Sequence, residues 1–329
     1  MRFLIIGAGS IGKRHMRCLR ELGHEVAACD TDETRLAGLA GSLGAKCYTD
    51  LDAALGGGYD AALVCTPTSL HIEIARKAVE RGLHIFVEKP VSDTPDGIDD
   101  LASLAEKAGL KSLVGCNTRF YRPLTRVKDY IDSGKMGRTL SARAQVGFYL
   151  PYWHPNDDYT KAYSANRSMG GGVILDDIHE LDYLRWFFGE AKEVYCVAVN
   201  TGTLSIDTED LAAMVITFDG GVIAEVHFDY LQRTYHRRAE FVGENGLVVC
   251  DFIRQSTEFF GEEVYLSNTK SEGLNADVNH MYIGQMAHFV RVIRGEEESI
   301  NDLVSAKKTL ELALAAKESA EKHMPVRLG

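Results

Sequence analysis

The chain lacks the features that would take it out of the ordinary globular class. Its seven cysteines, at 18, 29, 47, 65, 116, 196 and 250, are odd in number, widely spread and contain no C-x-x-C pair. That excludes a disulfide framework or a zinc ribbon and reads as small core residues in a reducing cytoplasm. The eleven histidines include no H-E-x-x-H or similar ligand spacing, so no metal is expected. Positive charge is in deficit, 36 Lys and Arg against 47 Asp and Glu for a formal net charge of −11, and no basic segment is appended. This argues against nucleic acid or an anionic membrane as the main partner. No apolar run exceeds strand length, so nothing spans a bilayer. The apolar start meets no small-residue cleavage site and reads as a first strand rather than a signal peptide. There is no low-complexity tract, long like-charge block or fixed-period repeat. What remains is 45% apolar and 25% charged. Single cores stop growing near about 250 residues, so 329 residues predict two domains.

The apolar run Arg2–Ile6 leads directly into Gly7-Ala8-Gly9-Ser10-Ile11-Gly12, the spacing G-x-G-x-x-G. Gly7 permits a tight strand-to-helix turn, Gly9 lets backbone N–H groups approach a pyrophosphate, and Gly12 lets the next helix pack close to the strand. Ile11, Cys18, Leu19 and Leu22 fall on one helical face, and Gly23 closes the helix. A second strand, 25–29, ends in Asp30, eighteen residues after Gly12, where an adenosine ribose needs a carboxylate acceptor. Gly7, Gly9, Ser10, Ile11, Gly12 and Asp30 therefore read as a dinucleotide site. Asp30 repels a 2′-phosphate and favours NAD, while Arg35 on the following helix leaves NADP open.

Strand and helix patterns alternate from residue 1 to about 120, as in parallel βαβ units wound on both faces of a sheet. Further strands are expected at 46–48, 61–65, 84–87 and 112–116, with a helix over 95–108 between the last two. Ligands lie beyond the carboxyl ends of such strands, which gives weight to 66–71, 88–90 and 117–119. Residues 121–329 read as a second, α+β domain with a largely antiparallel sheet. Asp219-Gly220-Gly221 and Gly243-Glu244-Asn245-Gly246 mark hairpins. Helices are expected at about 124–133, 177–188, 280–294 and 302–322.

Lys89 stands just after the fifth strand, and Pro90 restricts its backbone to an extended form. An ammonium at that strand end can stabilise developing alkoxide charge. His179 lies in a mostly apolar helix behind Gly170-Gly171-Gly172, a run that permits close backbone approach by a ligand or cofactor. Imidazole is suited to accepting a hydroxyl proton near neutral pH.

Five motifs in order carry a resemblance: the glycine turn, Thr66-Pro67-Thr68-Ser69-Leu70-His71, Glu88-Lys89-Pro90, the triple glycine, and His179-Glu180-Leu181-Asp182 with Leu184-Arg185-Trp186. The chain resembles the glucose-fructose oxidoreductase and inositol dehydrogenase family (Gfo/Idh/MocA). The resemblance implies a Rossmann domain joined to an α+β domain whose large open sheet serves oligomerisation, as a dimer or tetramer, and NAD(P)-dependent redox chemistry on sugars or cyclitols. It makes Lys89 the catalytic lysine, His179 the proton-transfer residue, and Thr66, Pro67, Thr68, His71, Glu88, Lys89 and Asn117 cofactor contacts.

Family members that use histidine commonly carry an aspartate four residues earlier, where this chain has Leu175. Asp176, on the same face as His179 if the helix has begun, is the expected partner. Asp177 as an N-cap and Asp182 as an orienting or anchoring group are the rivals. Arg119, Tyr152, His154 and Arg167 are the expected substrate contacts, since aromatic faces with Arg donors suit a sugar ring or an acidic group on it. Arg233, Arg237 and Arg238 read as solvated or interfacial. The function expected is a cytoplasmic NAD-dependent oxidoreductase acting on a secondary alcohol of a sugar, cyclitol or nucleotide sugar. The alternatives are an NAD-dependent redox-cycling glycosidase or lyase, or a non-catalytic nucleotide-sensing regulator.

Overall fold

The structure, a computed structural model, describes residues 1–153, 158–261 and 278–329. The chain divides into two compact units. One is Met1–Asn117 with Val278–Lys307, and the other is Thr118–Asp277 with Lys308–Gly329. The expected division at residue 120 leaves 121–329 in one piece. The contacts instead carry Val278–Lys307 back to the first unit, because that segment's apolar face completes the first core.

In the first unit β1 (Arg2–Ile6), β2 (Glu25–Cys29), β3 (Lys46–Tyr48), β4 (Ala61–Val64), β5 (His84–Val87) and β6 (Ser112–Val114) form one sheet in the order β3-β2-β1-β4-β5-β6. Every pair is parallel, as expected. The order reverses beside β1, which places a ligand crevice at its carboxyl end. The helix Ser10–Glu21 buries Gly12, His15, Met16, Cys18 and Leu19, and it stops where Gly23 turns left-handed at φ +82°. Gly23 and His24 N–H donate back to Arg20 and Leu19 carbonyls. The helix expected over 95–108 begins later, at Ile98, because the left-handed Gly97 (φ +74°) ends the preceding turn and starts the helix. The returning helix Asn279–Ile293 packs Met286, Phe289 and Val290 into the core of Phe3, Ile5, Leu63 and Phe86.

The second unit is built on an eight-stranded sheet: β7 (Thr139–Tyr149), β8 (Ala191–Val199), β9 (Leu211–Phe218), β10 (Ile223–Asp229), β11 (Leu231–Gly243), β12 (Gly246–Asp251), β13 (Ser256–Gly261) and β14 (Val326–Arg327). Their order is β13-β12-β11-β7-β10-β9-β8-β14. All pairs are antiparallel except β7 with β10. Both predicted hairpins are present, between β9 and β10 and between β11 and β12. In β8 and β9 buried Val194, Cys196, Met214 and Ile216 alternate with exposed Tyr195, Val197 and Val215, so one face of this sheet is covered and the other is open. All seven cysteines are thiols. Among the described residues no helix is long and apolar enough to cross a membrane, and no group of His, Cys, Asp or Glu is arranged to hold a metal.

Candidate functional site

The glycine turn in the first unit has three separate physical reasons for its three glycines. Gly7 adopts φ +100°, donates its N–H to the Cys29 carbonyl at 2.8 Å, and has no room for a Cβ against the Cys65 carbonyl. A Cβ on Gly12 would run into the Gly7 carbonyl, so that glycine brings helix and strand together. Gly9 differs, since a Cβ there would meet no protein atom. Packing does not require glycine at this position, whereas backbone approach by a ligand does. Ser10 and Ile11 open a twelve-residue helix whose N-terminus has no side-chain cap and no acid in its first turn. Its N–H groups and dipole suit a phosphate.

Asp30 directly follows β2 and is 8% exposed. Its Oδ2 accepts from Ala8 N–H at 2.7 Å and its Oδ1 from Asp32 N–H at 2.9 Å, so the carboxylate is held against the turn. The Arg35 guanidinium lies 3.7 Å from Asp30 Oδ2 and 3.5 Å from Asp32 Oδ2. After β4, Thr66 Oγ1 is buried with no hydrogen-bond partner among the described residues. An orphaned hydroxyl, open space at Gly9 and an uncapped helix end at one sheet edge fit a dinucleotide. Pro67 is exposed, while Thr68 and His71 are buried.

His71 corrects the expectation of a direct cofactor contact, because both ring nitrogens are occupied within the protein. Nδ1 faces the Pro90 carbonyl and Nε2 the Thr66 carbonyl, each at 2.9 Å. Burial pushes its pKa below the usual histidine range, against the opposing pull of the two carbonyls. Glu88 is likewise turned inward. Its Oε1 lies 2.5 Å from Nε2 of the fully buried His15, and its Oε2 accepts the Lys89 N–H at 3.1 Å. Lys89 itself is half-buried at the end of β5. Asn117 is buried, and the carboxamide oxygen of Gln285, on the returning helix, meets the N–H groups of Cys116 and Asn117 at 3.2 and 3.3 Å.

In the second unit the helix expected from 177 starts at His179. Asp176 ends a separate short turn, Val173–Asp176, and Asp177 caps the carboxyl end of that turn rather than the start of the helix. Asp176 and His179 therefore do not share a continuous helical face. The Asp176 carboxylate accepts from the Tyr163 hydroxyl, from Ser164 Oγ at 2.8 Å and from the Tyr230 hydroxyl at 3.1 Å. Burial, then the Asp176 charge, pushes the Tyr230 phenol well above its usual range. His179 is half-exposed at the first position of its helix, while the carboxylates of Glu180 and Asp182 are buried behind it.

Those carboxylates anchor the helix. Asp182 receives Arg119 Nε and Nη2, each at 2.8 Å, and Glu180 receives Arg237 Nε at 2.7 Å and Nη2 at 3.0 Å. Arg185 reaches Glu190 at 2.9 Å and Thr309 Oγ1 at 2.7 Å. Arg119, expected at the substrate, is thus 4% exposed and directed at Asp182. Arg237, expected to be solvated or interfacial, has a side chain only 13% exposed and directed at Glu180. Burial opposes its charge, but Glu180 overcomes this and holds the pKa well above the usual value. The triple glycine is also explained within the protein. A Cβ on Gly171 would strike the Tyr163 carbonyl, and Gly172, at φ +110°, has no room against the Glu209 carboxylate. Arg167 is exposed, its N–H donating to Asp207 Oδ1 at 2.7 Å, and Tyr152 is 61% exposed. His154 lies outside the described residues. A cavity of about 750 Å³ opens on the uncovered face of the eight-stranded sheet, and none of the sequence-predicted site residues lines it.

His15, Tyr163, Ser164, Tyr230 and Gln285 carry no local signal of their role, since each acts through a partner distant in sequence. The sequence matches an oxidoreductase family with an NAD-binding Rossmann fold over residues 1–116 and the C-terminal domain of the same GFO/IDH/MocA family over 124–249. The chain is 27% identical to myo-inositol 2-dehydrogenase of Thermotoga maritima, over all of this chain and 98% of the relative. It is 23% identical to UDP-N-acetylglucosamine 3-dehydrogenase of Acidithiobacillus ferrooxidans, over 98% of this chain and 97% of that protein. Its fold matches the WlbA dehydrogenase of Bordetella pertussis, solved with NADH and UDP-GlcNAcA, at a TM-score of 0.86 and 21% identity over 100% and 99% of the two chains. With its glycine turn, Asp30 and Lys89 in the first unit and His179 in the second, the chain belongs to the GFO/IDH/MocA family of NAD-binding oxidoreductases, dehydrogenases of CH–OH groups.

Proposed function

We propose that the chain oxidises a secondary alcohol on a cyclitol, sugar or nucleotide-linked sugar. The observation that carries this reading is Lys89, half-buried at the carboxyl end of β5 on the sheet edge that holds the glycine turn and the unpartnered Thr66 hydroxyl. Gly7, Gly9, Ser10, Ile11 and Gly12 take the pyrophosphate, Asp30 the adenosine ribose, and Thr66, Pro67 and Asn117 line the rest of the dinucleotide site. NAD, when bound, supplies the hydride acceptor. His179 accepts the hydroxyl proton, and the Lys89 ammonium hydrogen-bonds the oxygen as it gains charge. Asp176, which accepts from the Tyr163, Ser164 and Tyr230 hydroxyls, fixes the short turn that leads into His179. Arg167 and Tyr152, both exposed, are offered to the substrate, with the guanidinium suited to a carboxylate or diphosphate.

The test is a screen of inositols, aldoses, sugar acids and UDP-sugars with NAD, following NADH absorbance, with Lys89→Ala and His179→Ala alongside. A substrate turned over by the wild type and lost by about a hundredfold or more in both variants is expected. Equal turnover by all three would remove both residues from the chemistry. A second copy of the chain on the open face of the large sheet belongs to the same reading, because Tyr195, Val197, Val199, Val215 and Ile223 form an exposed apolar stripe there.

A further inference from the structure

Two buried histidines grip the segment that carries Lys89. On one side, Glu88 is bonded through Oε1 to His15 Nε2 and through Oε2 to the Lys89 N–H. His15 lies in the helix that the glycine turn opens, is fully buried, and packs edge-on against Phe86 at 5.0 Å. Its Nδ1 has no partner among the described residues, and its Nε2 donates to Glu88, since a carboxylate oxygen accepts. On the other side, His71 sets Nδ1 2.9 Å from the Pro90 carbonyl and Nε2 2.9 Å from the Thr66 carbonyl, the single N–H of the neutral ring donating to one or the other by tautomer, and is 1% exposed. The chain on either side of Lys89 is therefore tied to the helix that the glycine turn opens and to the turn after β4.

We propose that His15 and His71 are positioning residues for Lys89. They fix where its ammonium is presented and make that placement depend on the same turns that hold the dinucleotide. Neither ring has a free nitrogen for the cofactor in this arrangement beyond the enclosed Nδ1 of His15, so their effect passes through Glu88, Pro90 and Thr66. The inference rests on the reading that Lys89 works beside the nicotinamide.

Matched substitutions separate this role from bulk packing. Asn reproduces the Nδ1 position of a histidine and Gln the Nε2 position. H71N keeps a donor for the Pro90 carbonyl next to Lys89, whereas H71Q keeps only the Thr66 side. H15Q keeps the bond to Glu88, whereas H15N loses it. The readout is trace acetylation of the Lys89 amine, followed by peptide mass spectrometry across pH with and without NADH, beside Tm and the NADH Kd from fluorescence titration.

NADH is expected to protect Lys89 in the wild type, and H71N and H15Q are expected to retain most of that protection. H71Q and H15N are expected to lose it by about tenfold, as misplacement of a catalytic group does, with NADH Kd within about threefold of the wild type. Protection that is equal within each pair, or that follows Tm rather than the retained nitrogen, overturns the proposal. If the wild-type lysine is acetylated equally with and without NADH, the placement of Lys89 at the nicotinamide fails, and this inference fails with it.

Discussion

Asp30 is in place before any ribose arrives, because the Ala8 and Asp32 amides already hold its two oxygens. Replacing it by Ala removes a charged acceptor worth about 1.5–3 kcal/mol, so NADH affinity is expected to fall by roughly ten- to a hundredfold in a fluorescence titration. NADPH affinity is expected to fall less, since Arg35 is released from its carboxylate neighbour. An unchanged NADH to NADPH ratio would show that Asp30 does not read the ribose. His71 gives a second residue-level expectation, this one in pH. Its folded pKa is depressed, first by burial, so the unfolded chain takes up the proton more readily. Its contribution to stability is therefore complete above the unfolded value near ~6.5 and is lost as pH falls from there towards the folded pKa. H71N is expected to flatten the acid limb of stability against pH below about 6.5; the same slope in both proteins would deny the titration.

The helix His179–Phe188 is held by interior charge more than by propensity, with Glu180, Asp182 and Arg185 each buried and paired. Truncating one partner strands the other, so Arg119→Leu is expected to cost about 3–5 kcal/mol in urea unfolding. Arg119→Leu combined with Asp182→Leu is expected to recover much of that loss, because no unpaired charge remains. A double variant as weak as the sum of the singles would mean that the pair is not the unit. At this scale the parallel sheet, its glycine turn, the hairpins and the place of Lys89 were legible in the sequence, since each depends on residues within a few positions. The roles of Arg119, Arg237 and the triple glycine were not. Their reasons are Asp182, Glu180, the Tyr163 carbonyl and Glu209, all brought near only by the fold. The separate turn Val173–Asp176 was hidden for a related reason: with a helix expected from 177, no local residue marks a turn ahead of it. β14 was missed because two residues show no alternation.

For the whole molecule, the open sheet face sets the expectation about assembly. Val197→Glu together with Val215→Glu places charge in the exposed apolar stripe, and light scattering is expected to show a mass that falls to that of one chain while NADH binding persists. An unchanged mass would exclude this face as the contact. Removing Val278–Lys307 is expected to be more damaging, because Phe3 and Phe86 lose Phe289, which lies 6.4 and 5.9 Å from their ring centroids. Such a chain should bind no NADH and expose its core to a hydrophobic dye; a dye-silent, NADH-binding fragment of Met1–Asn117 would contradict this.

The return of Asn279–Ile293 to the first sheet also sets an order of events during synthesis. The dinucleotide unit begins the chain, yet its core lacks Met286 and Phe289 until the ribosome has made the second unit. At about 5–20 residues per second, the intervening segment occupies the nascent chain for roughly ten to thirty seconds. Through that interval the first sheet waits with an apolar face uncovered, so the unit that is synthesised first is not the first to complete its core.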